Sequence, residues 1–316
     1  MESTERTPAA NNPAPFHEFR IGDDPDRIRS SFDDNGYLLF KAVLNRDAVL
    51  GVKAELTEAL RTQGLVRHDA AEPVAVPGAS AIDVDSDIIY GLRSPVELMA
   101  APELQQLVDL AYGETGYVTP TLGIRHVMPA DEPYATPPHQ DFFYIRESDE
   151  FRMVWIPLMD IETANGGLAI AAGSHRHGLQ EHVEFDGVYS YVLKGRRQKG
   201  VRPDNIRGTW TSSRVEVGDV LMFHSCAVHK SLPNTSDHVR LALNAITYPA
   251  RLPRIWQAER TAPELQVFRN ELKRICEAEG IAGELFEEVA IEGMKQGEEP
   301  SPQLVHALVE RVRSAG

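Results

Sequence analysis

Apolar residues recur at helical spacing in the stretch that follows Asn45, and Gly64 ends the pattern. The members of this stripe are Val49, Val52, Leu56 and Leu60. Because Asn is a favoured N-cap and Gly a favoured residue after a helix, the pattern predicts one amphipathic helix that packs on a sheet. Shorter helices are predicted over residues 24–32 and 102–112, and the apolar run at residues 37–40 indicates a strand.

Between residues 116 and 249 the texture changes to short apolar or alternating runs separated by Gly, Pro, Asn and Asp, which is typical of β-strands. The predicted strands are 121–128, 139–144, 152–161, 168–171, 188–193, 213–217, 220–223, 227–230 and 239–248. Such a set suits either a jelly roll or an immunoglobulin-like sandwich. We favour a mainly β fold with flanking helices around a cupin-like jelly roll (double-stranded β-helix), because the candidate site requires an enclosed pocket between two sheets.

The two ends of the chain differ from this β region. Residues 1–20 are polar and rich in Pro, Ala and Asn, which predicts a disordered leader. The pattern is helical again after residue 253, and the predicted helices are 262–279, 283–292 and 302–313. We expect a β domain with N-terminal helices over residues 21–255 and a helical extension over residues 256–316 that packs on the same domain. The irregular residues 67–93 suit a long loop or lid.

Composition narrows the possible partners. The chain has 32 Lys and Arg against 47 Asp and Glu, a formal charge of −15, which opposes the phosphate contacts of nucleic-acid binding. Two cysteines are too few for a disulfide framework, and no apolar stretch has the length of a membrane span. We therefore expect a cytoplasmic protein that binds a small molecule and neither nucleic acid nor membrane, as a monomer or homodimer.

Two potential metal ligands lie close together in the segment Pro138-His139-Gln140-Asp141. Alternate side chains of a strand share a face, so His139 and Asp141 are expected to point into one cavity. An imidazole and a carboxylate suit a divalent first-row metal, and a remote third ligand would complete a facial triad with open positions. The His-x-Asp pattern alone is a weak signal.

The third ligand is expected in the segment 218–231, which contains His224 and His229. A turn follows His229, and Arg240 stands eleven positions further on. This order predicts a returning strand that brings Arg240 beside His229, where the planar guanidinium can bind a carboxylate at two points. Ser231 shares the strand face of His229 and can donate to the same carboxylate. His224 lies five residues before His229, so in one regular strand the two side chains would point to opposite faces. We favour His229 as the ligand.

Together these segments resemble the phytanoyl-CoA dioxygenase family of Fe(II)- and 2-oxoglutarate-dependent oxygenases, over about residues 30–250. The matching elements are Pro138-His139-Gln140-Asp141, Trp155-Ile156-Pro157-Leu158, Asn165-Gly166-Gly167-Leu168, Gly173-Ser174-His175, Gly218-Asp219-Val220 and the unit from His229 to Arg240. Their order and spacing are far more specific than any single motif. The resemblance implies that His139, Asp141 and His229 bind Fe(II), with 2-oxoglutarate and O2 as co-substrates.

The resemblance also implies residues for binding 2-oxoglutarate. Arg240 would bind its distal carboxylate, and Ser231 and Trp155 would line its pocket, although Trp155 also fits a core aromatic residue. Arg125 falls on the strand where relatives often place an amide that touches 2-oxoglutarate, so it joins the predicted cofactor-binding residues. An arginine at this position leaves contact with an anionic substrate open as well. The resemblance places His175 and its neighbours in a turn away from the metal.

The implied reaction is hydroxylation, or another oxidation, of an unactivated C–H bond in a small metabolite, coupled to decarboxylation of 2-oxoglutarate to succinate. Asp141 argues against halogenation, because halogenating relatives replace this ligand with a small residue. Two other classes remain: a cupin-like metal sensor without turnover, which needs no Arg240, and a zinc hydrolase, which needs a general base near the metal. The basic residues 194–199 fit an exposed loop better than an anion site.

Overall fold

Two helices lie near the N-terminal end of the described residues, and the second begins at its predicted cap. The structure is a computed structural model that describes residues 13–129, 136–145, 148–162, 164–190, 196–252, 271–281, 285, 289 and 301–315. Helix α1 spans Pro25–Asn35 and helix α2 spans Arg46–Thr62. The Asn45 side chain accepts the Ala48 backbone N–H at 3.0 Å, so the predicted cap of α2 is confirmed. The apolar stripe of α2 is buried, as its spacing predicts.

Three shorter helices and a helical turn follow before the second half of the β region. They are α3 (Ser86–Tyr90), α4 (Ser94–Met99), α5 (Pro102–Tyr112) and α6 (Asp141–Tyr144). The bounds of α5 agree with the prediction of residues 102–112. Helix α5 lies against the first long strand of the sheet, and buried residues of α3, α4 and α5 belong to the core on one face of the β region.

Eleven strands form two facing sheets and a hairpin in the described residues. They are β1 (Glu18–Phe19), β2 (Tyr37–Phe40), β3 (Gly116–Val127), β4 (Arg152–Pro157), β5 (Leu168–Ala172), β6 (His182–Ser190), β7 (Arg196–Val201), β8 (Thr209–Thr211), β9 (Val220–His224), β10 (His229–Ser231) and β11 (Arg240–Pro249). The major sheet has the order β1-β2-β9-β4-β11-β3, and the minor sheet has the order β10-β5-β8. Strands β6 and β7 pair with each other.

Successive side chains of β11 point to opposite faces of the major sheet. Leu241 and Leu243 belong to the core that α2 and α5 cover. Ala242 and Ile246 belong to a second core, which also contains Ile170 of the minor sheet. The second core therefore lies between the two sheets, which is the jelly-roll arrangement predicted from the sequence. The sheets are not joined into a closed barrel in the described part of the chain.

Two predicted strands are wrong, and a third is described only in part. Residues 139–144 are not a strand, because only His139 forms a bridge and α6 begins at Asp141. In residues 213–217 only Val215 pairs, as an isolated bridge with Ile161. The strand predicted at 188–193 is part of β6, and its last three residues lie outside the described residues. Strands β7 and β8 were not predicted. The basic stretch at residues 194–199 was expected to be a loop, but part of it forms β7, one strand of a hairpin.

The prediction of a disordered leader is wrong for residues 13–20, which the structure describes. Residues 1–12 lie outside the described residues. Phe16 and Phe19 are buried, and β1 pairs with β2 in parallel. Two aromatic side chains on the edge of the major sheet supply apolar contacts that hold this polar segment in place.

Residues 67–93 are not an unstructured lid. They include a short 3-10 helix at Ala81–Asp83 as well as α3, and Ala81 and Ile89 are buried in the core on the helical face. The segment therefore packs on the side of the major sheet that faces away from the minor sheet.

The C-terminal part is helical over residues 271–278 and over Pro302–Ala315, and its apolar residues form a cluster of their own. Most of the helix predicted at 283–292 lies outside the described residues. Lys273 forms an ion pair with Asp87, and packing of the whole extension on the β domain stays a prediction. No helix in the described ranges is long and apolar enough to span a membrane.

Candidate metal centre

Three buried side chains converge at the mouth between the sheets. The ligand atoms of His139, Asp141 and His229 all lie within 4.8 Å of one another. Nε2 of His139 lies 3.5 Å from Oδ1 of Asp141, and Nε2 of His229 lies 3.6 Å from Oδ2. The structure thus brings together the three residues predicted from the sequence, ninety positions apart at their extremes.

Asp141 reaches this group by a different route from the one predicted. His139 pairs with His229 in an isolated antiparallel bridge, and the chain then enters the helical turn α6 at Asp141. The Phe142 backbone N–H donates to the Ser225 carbonyl at 3.0 Å, which fixes the start of this turn. The convergence therefore comes from an isolated bridge followed directly by a helical turn, and strand alternation does not explain it.

Each histidine presents its Nε2 atom to the group. Nδ1 of His139 donates to the Pro137 carbonyl at 2.8 Å, and Nδ1 of His229 donates to the Ala227 carbonyl at 3.0 Å. A proton on Nδ1 leaves the lone pair of Nε2 for a metal, and backbone partners of this kind fix ring orientation. The two tautomers therefore suit metal binding.

Electrostatics favours the same protonation states. Burial would raise the pKa of Asp141, but His229, His139 and Arg125 outweigh it and lower that pKa to about 2. Burial, followed by the proximity of His139, lowers the pKa of His229 to about 4. At neutral pH the group offers a carboxylate and a neutral imidazole, which are the forms that bind a divalent metal. The donor set thus fits a facial triad of two histidines and one carboxylate.

His224 lies apart from this group. It ends β9, and its Nδ1 accepts the Cys226 backbone N–H at 3.0 Å. Its ring centroid is 5.1 Å from that of His175, which stands in the short 3-10 helix Ser174–His177. Since a turn separates β9 from β10, the two histidines of this segment point to different places. His224 and His175 form a structural pair on the side of α1.

Arg240 is the first residue of β11 and is only 1% exposed. Its Nε donates to the Gly166 carbonyl at 3.1 Å, and a terminal nitrogen donates to the Ser231 hydroxyl at 3.2 Å. Ser231 belongs to β10, the strand that begins with His229. The structure therefore places Arg240 in contact with Ser231, which stands two residues after the predicted ligand His229.

Trp155 lies on the same inner wall. Its ring centroid is 5.8 Å from the Arg240 guanidinium carbon, and its buried Nε1 has no hydrogen-bond acceptor among the described residues. A buried N–H without an acceptor is costly unless a ligand satisfies it. A dicarboxylate between Arg240 and the metal ligands would supply such acceptors, so the residues present fit 2-oxoglutarate.

Gly166 explains why a glycine-rich turn borders this pocket. Its φ of 76° lies in the left-handed region, and a Cβ atom there would meet the Leu232 carbonyl oxygen at 2.8 Å. The close approach allows its carbonyl to reach Arg240. The motif Asn165-Gly166-Gly167-Leu168 thus has a local structural reason.

Arg125 also faces the space between the sheets. It pairs with Ala242 across β3 and β11, and directly opposed residues place their side chains on one face. Its Nε donates to Oδ1 of Asn244 at 3.2 Å. A Cβ atom at Gly123 would clash with the same Oδ1, so the glycine makes room for Asn244. The sequence did not single out Asn244 or Gly123 as parts of this wall.

Two further residues that support the site were also missed. The Ser174 hydroxyl accepts the Val228 backbone N–H at 2.8 Å, next to His229. The buried Asn234 donates from Nδ2 to the carbonyls of Val127 and His238, which shapes the turn before Arg240. Ser174 carried a signal, because it stands inside the Gly173-Ser174-His175 motif.

Aromatic side chains border the metal centre on the outer side. Tyr144 is 40% exposed, and its ring centroid is 5.9 Å from that of His139. Its hydroxyl donates to the Lys199 carbonyl of β7 at 2.6 Å. Phe143 stacks on His182 at the start of β6, with ring centroids 4.0 Å apart. The β6–β7 hairpin thus forms a wall beside the ligands.

Comparisons of the sequence with known proteins agree with this site. The family model for phytanoyl-CoA dioxygenase (PhyH) matches residues 32–242. The 1-deoxypentalenic acid 11-beta-hydroxylase of Streptomyces arenae is 31% identical over 255 residues, which cover 77% of this chain and 87% of that protein. Peroxisomal phytanoyl-CoA dioxygenase of Rattus norvegicus is 26% identical, over 68% of this chain and 66% of that protein.

Solved structures agree on the fold. The epimerase SnoN, in complex with Fe3+, alpha ketoglutarate and nogalamycin RO, superposes with a TM-score of 0.50 at 21% identity, over 72% of this chain and 84% of that chain. This likeness confirms the jelly-roll fold. Because the family model covers most of the chain and the Streptomyces relative covers more than two thirds of it, this chain belongs to the phytanoyl-CoA dioxygenase family of Fe(II)- and 2-oxoglutarate-dependent oxygenases.

Proposed function

We propose that this oxygenase hydroxylates an unactivated C–H bond of an apolar small-molecule carboxylic acid, with Fe(II) held by His139, Asp141 and His229. The observation that carries the proposal is the buried group of two Nε2 atoms and one carboxylate, within 4.8 Å of one another and beside Arg240. A metal sensor has no need of a buried guanidinium at this position. Family membership likewise favours the oxygenase over a sensor or a zinc hydrolase.

Iron bound there, with 2-oxoglutarate and O2, would supply the oxidising chemistry and release succinate and CO2. The residues of the chain position the reactants and exclude water. Arg240 would bind the distal carboxylate of 2-oxoglutarate at two points, with the Ser231 hydroxyl as a further donor. The unsatisfied Nε1 of Trp155 would donate to the same molecule.

The substrate side of the proposal rests on the inner wall and the entrance. Phe143 and Tyr144 present aromatic surface next to His139, which suits an apolar molecule. Arg125 supplies a second guanidinium on the inner face of β3, positioned by Asn244. Arg240 and the metal would account for both carboxylates of 2-oxoglutarate, so we assign Arg125 to an anionic group of the substrate. The Streptomyces relative at 31% identity is likewise named as a hydroxylase of an acid.

The proposal is tested by incubating the iron-loaded protein with 2-oxoglutarate, O2 and a panel of apolar carboxylic acids, beginning with 1-deoxypentalenic acid. The expected result is stoichiometric succinate and a product that has gained one oxygen atom. A product that has lost two hydrogens would replace hydroxylation by desaturation or ring closure. Succinate release with neutral apolar molecules, and none with acids, would contradict the assignment of the substrate class.

A further inference from the structure

One fully buried side chain joins three segments around the metal centre. Gln140 stands between the two ligands of the first motif and is 0% exposed. Its Nε2 donates to the Cys226 carbonyl at 2.7 Å and to the Gly178 carbonyl at 2.8 Å. Its Oε1 accepts the Gln180 backbone N–H at 2.7 Å. The amide thus connects residues that are 38 to 86 positions away.

The partners of Gln140 require an amide. Two carbonyl oxygens need donors, and one backbone N–H needs an acceptor, which is the complement of a primary amide. A carboxylate at this position would face two carbonyl oxygens without a proton between them. An apolar side chain of the same length would leave all three backbone groups without this partner, and the loss is costly at the buried Cys226 carbonyl.

The backbone of the same residue makes a fourth contact. Its N–H donates to Nε2 of His182 at 3.1 Å, at the first residue of β6. Gln140 therefore connects the ligand segment both to the turn before β10 and to the base of the β6–β7 hairpin.

These contacts bear on the geometry of the ligands. The Cys226 carbonyl precedes Ala227, whose own carbonyl orients the ring of His229. Among the described residues, the backbone joins the two ligand segments at two places, which are the bridge between His139 and His229 and the hydrogen bond from the Phe142 N–H to the Ser225 carbonyl. A third connection between the same two segments further limits movement of one against the other. The Gln140 amide supplies this connection.

We propose that Gln140 is a positioning residue that holds the two ligand-bearing segments in register, so that metal affinity depends on an amide at this position. The proposal rests on the metal site of the proposed function. Partners that orient metal ligands usually change metal affinity by about 10- to 100-fold when they are replaced. Arg240 is held by other contacts, so the KM for 2-oxoglutarate at saturating iron should not change.

The test compares two variants with a matched control. Gln140→Met removes all three side-chain hydrogen bonds, and Gln140→Glu keeps the size but loses both donors. The control is Gln105→Met on α5, because Gln105 also donates two hydrogen bonds of 2.8 Å, to Asp109 and to the Gly116 carbonyl, on the far face of the major sheet. The dissociation constant of Co(II), as a redox-stable probe, and the Tm of the metal-free protein are measured for each.

We expect both Gln140 variants to bind Co(II) about 10- to 100-fold more weakly than the wild type. The Gln105 variant should lose Tm without a change in metal affinity. If either folded Gln140 variant binds Co(II) as tightly as the wild type, the inference is overturned. If the wild type itself binds no metal, the proposed function fails instead, so the two failures are distinguishable.

Discussion

His139 and His229 exchange both backbone hydrogen bonds of an antiparallel bridge, at N···O distances of 2.9 and 3.0 Å, and their ring centroids are 4.2 Å apart. The separation of the two imidazoles is therefore set by the backbone. Asp141 enters the group from the first turn of α6, immediately after the bridge. The geometry explains why a remote histidine completes the site, and it makes His229 the residue whose loss should matter most.

The first prediction distinguishes the roles of His224 and His229 in metal binding. His229→Ala should weaken Fe(II) binding by more than the ~100-fold typical of residues behind the ligands, because it removes a ligand atom from the group. His224→Ala should keep metal affinity, since its ring packs on His175 and Phe32. Anaerobic Fe(II) titration of the purified variants measures both. Loss of the metal in His224→Ala and its retention in His229→Ala would reverse our assignment.

The elements with strong periodicity could be predicted from the sequence. Helix α2 begins after its Asn45 cap, and β11 occupies Arg240–Pro249 against the prediction of 239–248. The metal group could be anticipated because each ligand stands in a recognisable motif with a fixed order. Local patterns of this kind depend only on neighbours in the sequence.

Other features depend on tertiary contacts that the sequence pattern does not contain. Strand β7 is polar and lacks the apolar alternation that normally indicates a strand. It is a strand because it pairs with β6. The composition of the leader predicts disorder, although Phe16 and Phe19 are buried against the major sheet. Gln140 and Asn244 show their roles only through partners that lie far away in sequence.

The second prediction concerns Arg125. Arg125→Gln should raise the KM for an acidic substrate by about 10- to 100-fold. Loss of one charged hydrogen bond in a partly buried site weakens binding by about this factor. The KM for 2-oxoglutarate should stay within a factor of about two, because Arg240 is intact. Arg125→Lys is the control, since it keeps the charge. A rise in the KM for 2-oxoglutarate alone would instead place Arg125 on the co-substrate.

The third prediction is a pH dependence of stability that comes from His224. Burial, followed by the charges of His175 and Arg152, lowers the pKa of His224 from 6.5 to about 4. Between these values the unfolded chain binds more protons than the folded protein, so the free energy of unfolding falls as the pH drops below about 6.5. The contribution is fully present above that pH.

His224→Asn tests this, because an asparagine carbonyl can accept the Cys226 N–H but does not titrate. Urea unfolding at pH 7 and pH 5 should show that the wild type loses up to about 2 kcal/mol more than the variant over this interval. Equal losses would mean that His224 takes up its proton without cost in the folded state.

The fourth prediction is that Arg240→Lys weakens 2-oxoglutarate binding by about 10- to 1,000-fold, since lysine keeps the charge but loses the planar, two-point contact. Fe(II) affinity should be unchanged, because Arg240 is not one of the three ligands. Titration of 2-oxoglutarate at matched iron occupancy measures the difference. Equal affinity in the two proteins would require another residue, with Arg125 the first to examine, to hold the co-substrate.

We propose that this pocket binds Fe(II) and 2-oxoglutarate together, through the His139, Asp141 and His229 group and Arg240. The most direct test of this proposal is an anaerobic titration of 2-oxoglutarate into the Fe(II)-loaded protein, followed by visible absorption. We expect a weak charge-transfer band that saturates at one 2-oxoglutarate per iron, and succinate once O2 is admitted. Absence of both the band and succinate, with one Fe(II) per chain verified as bound, would contradict it.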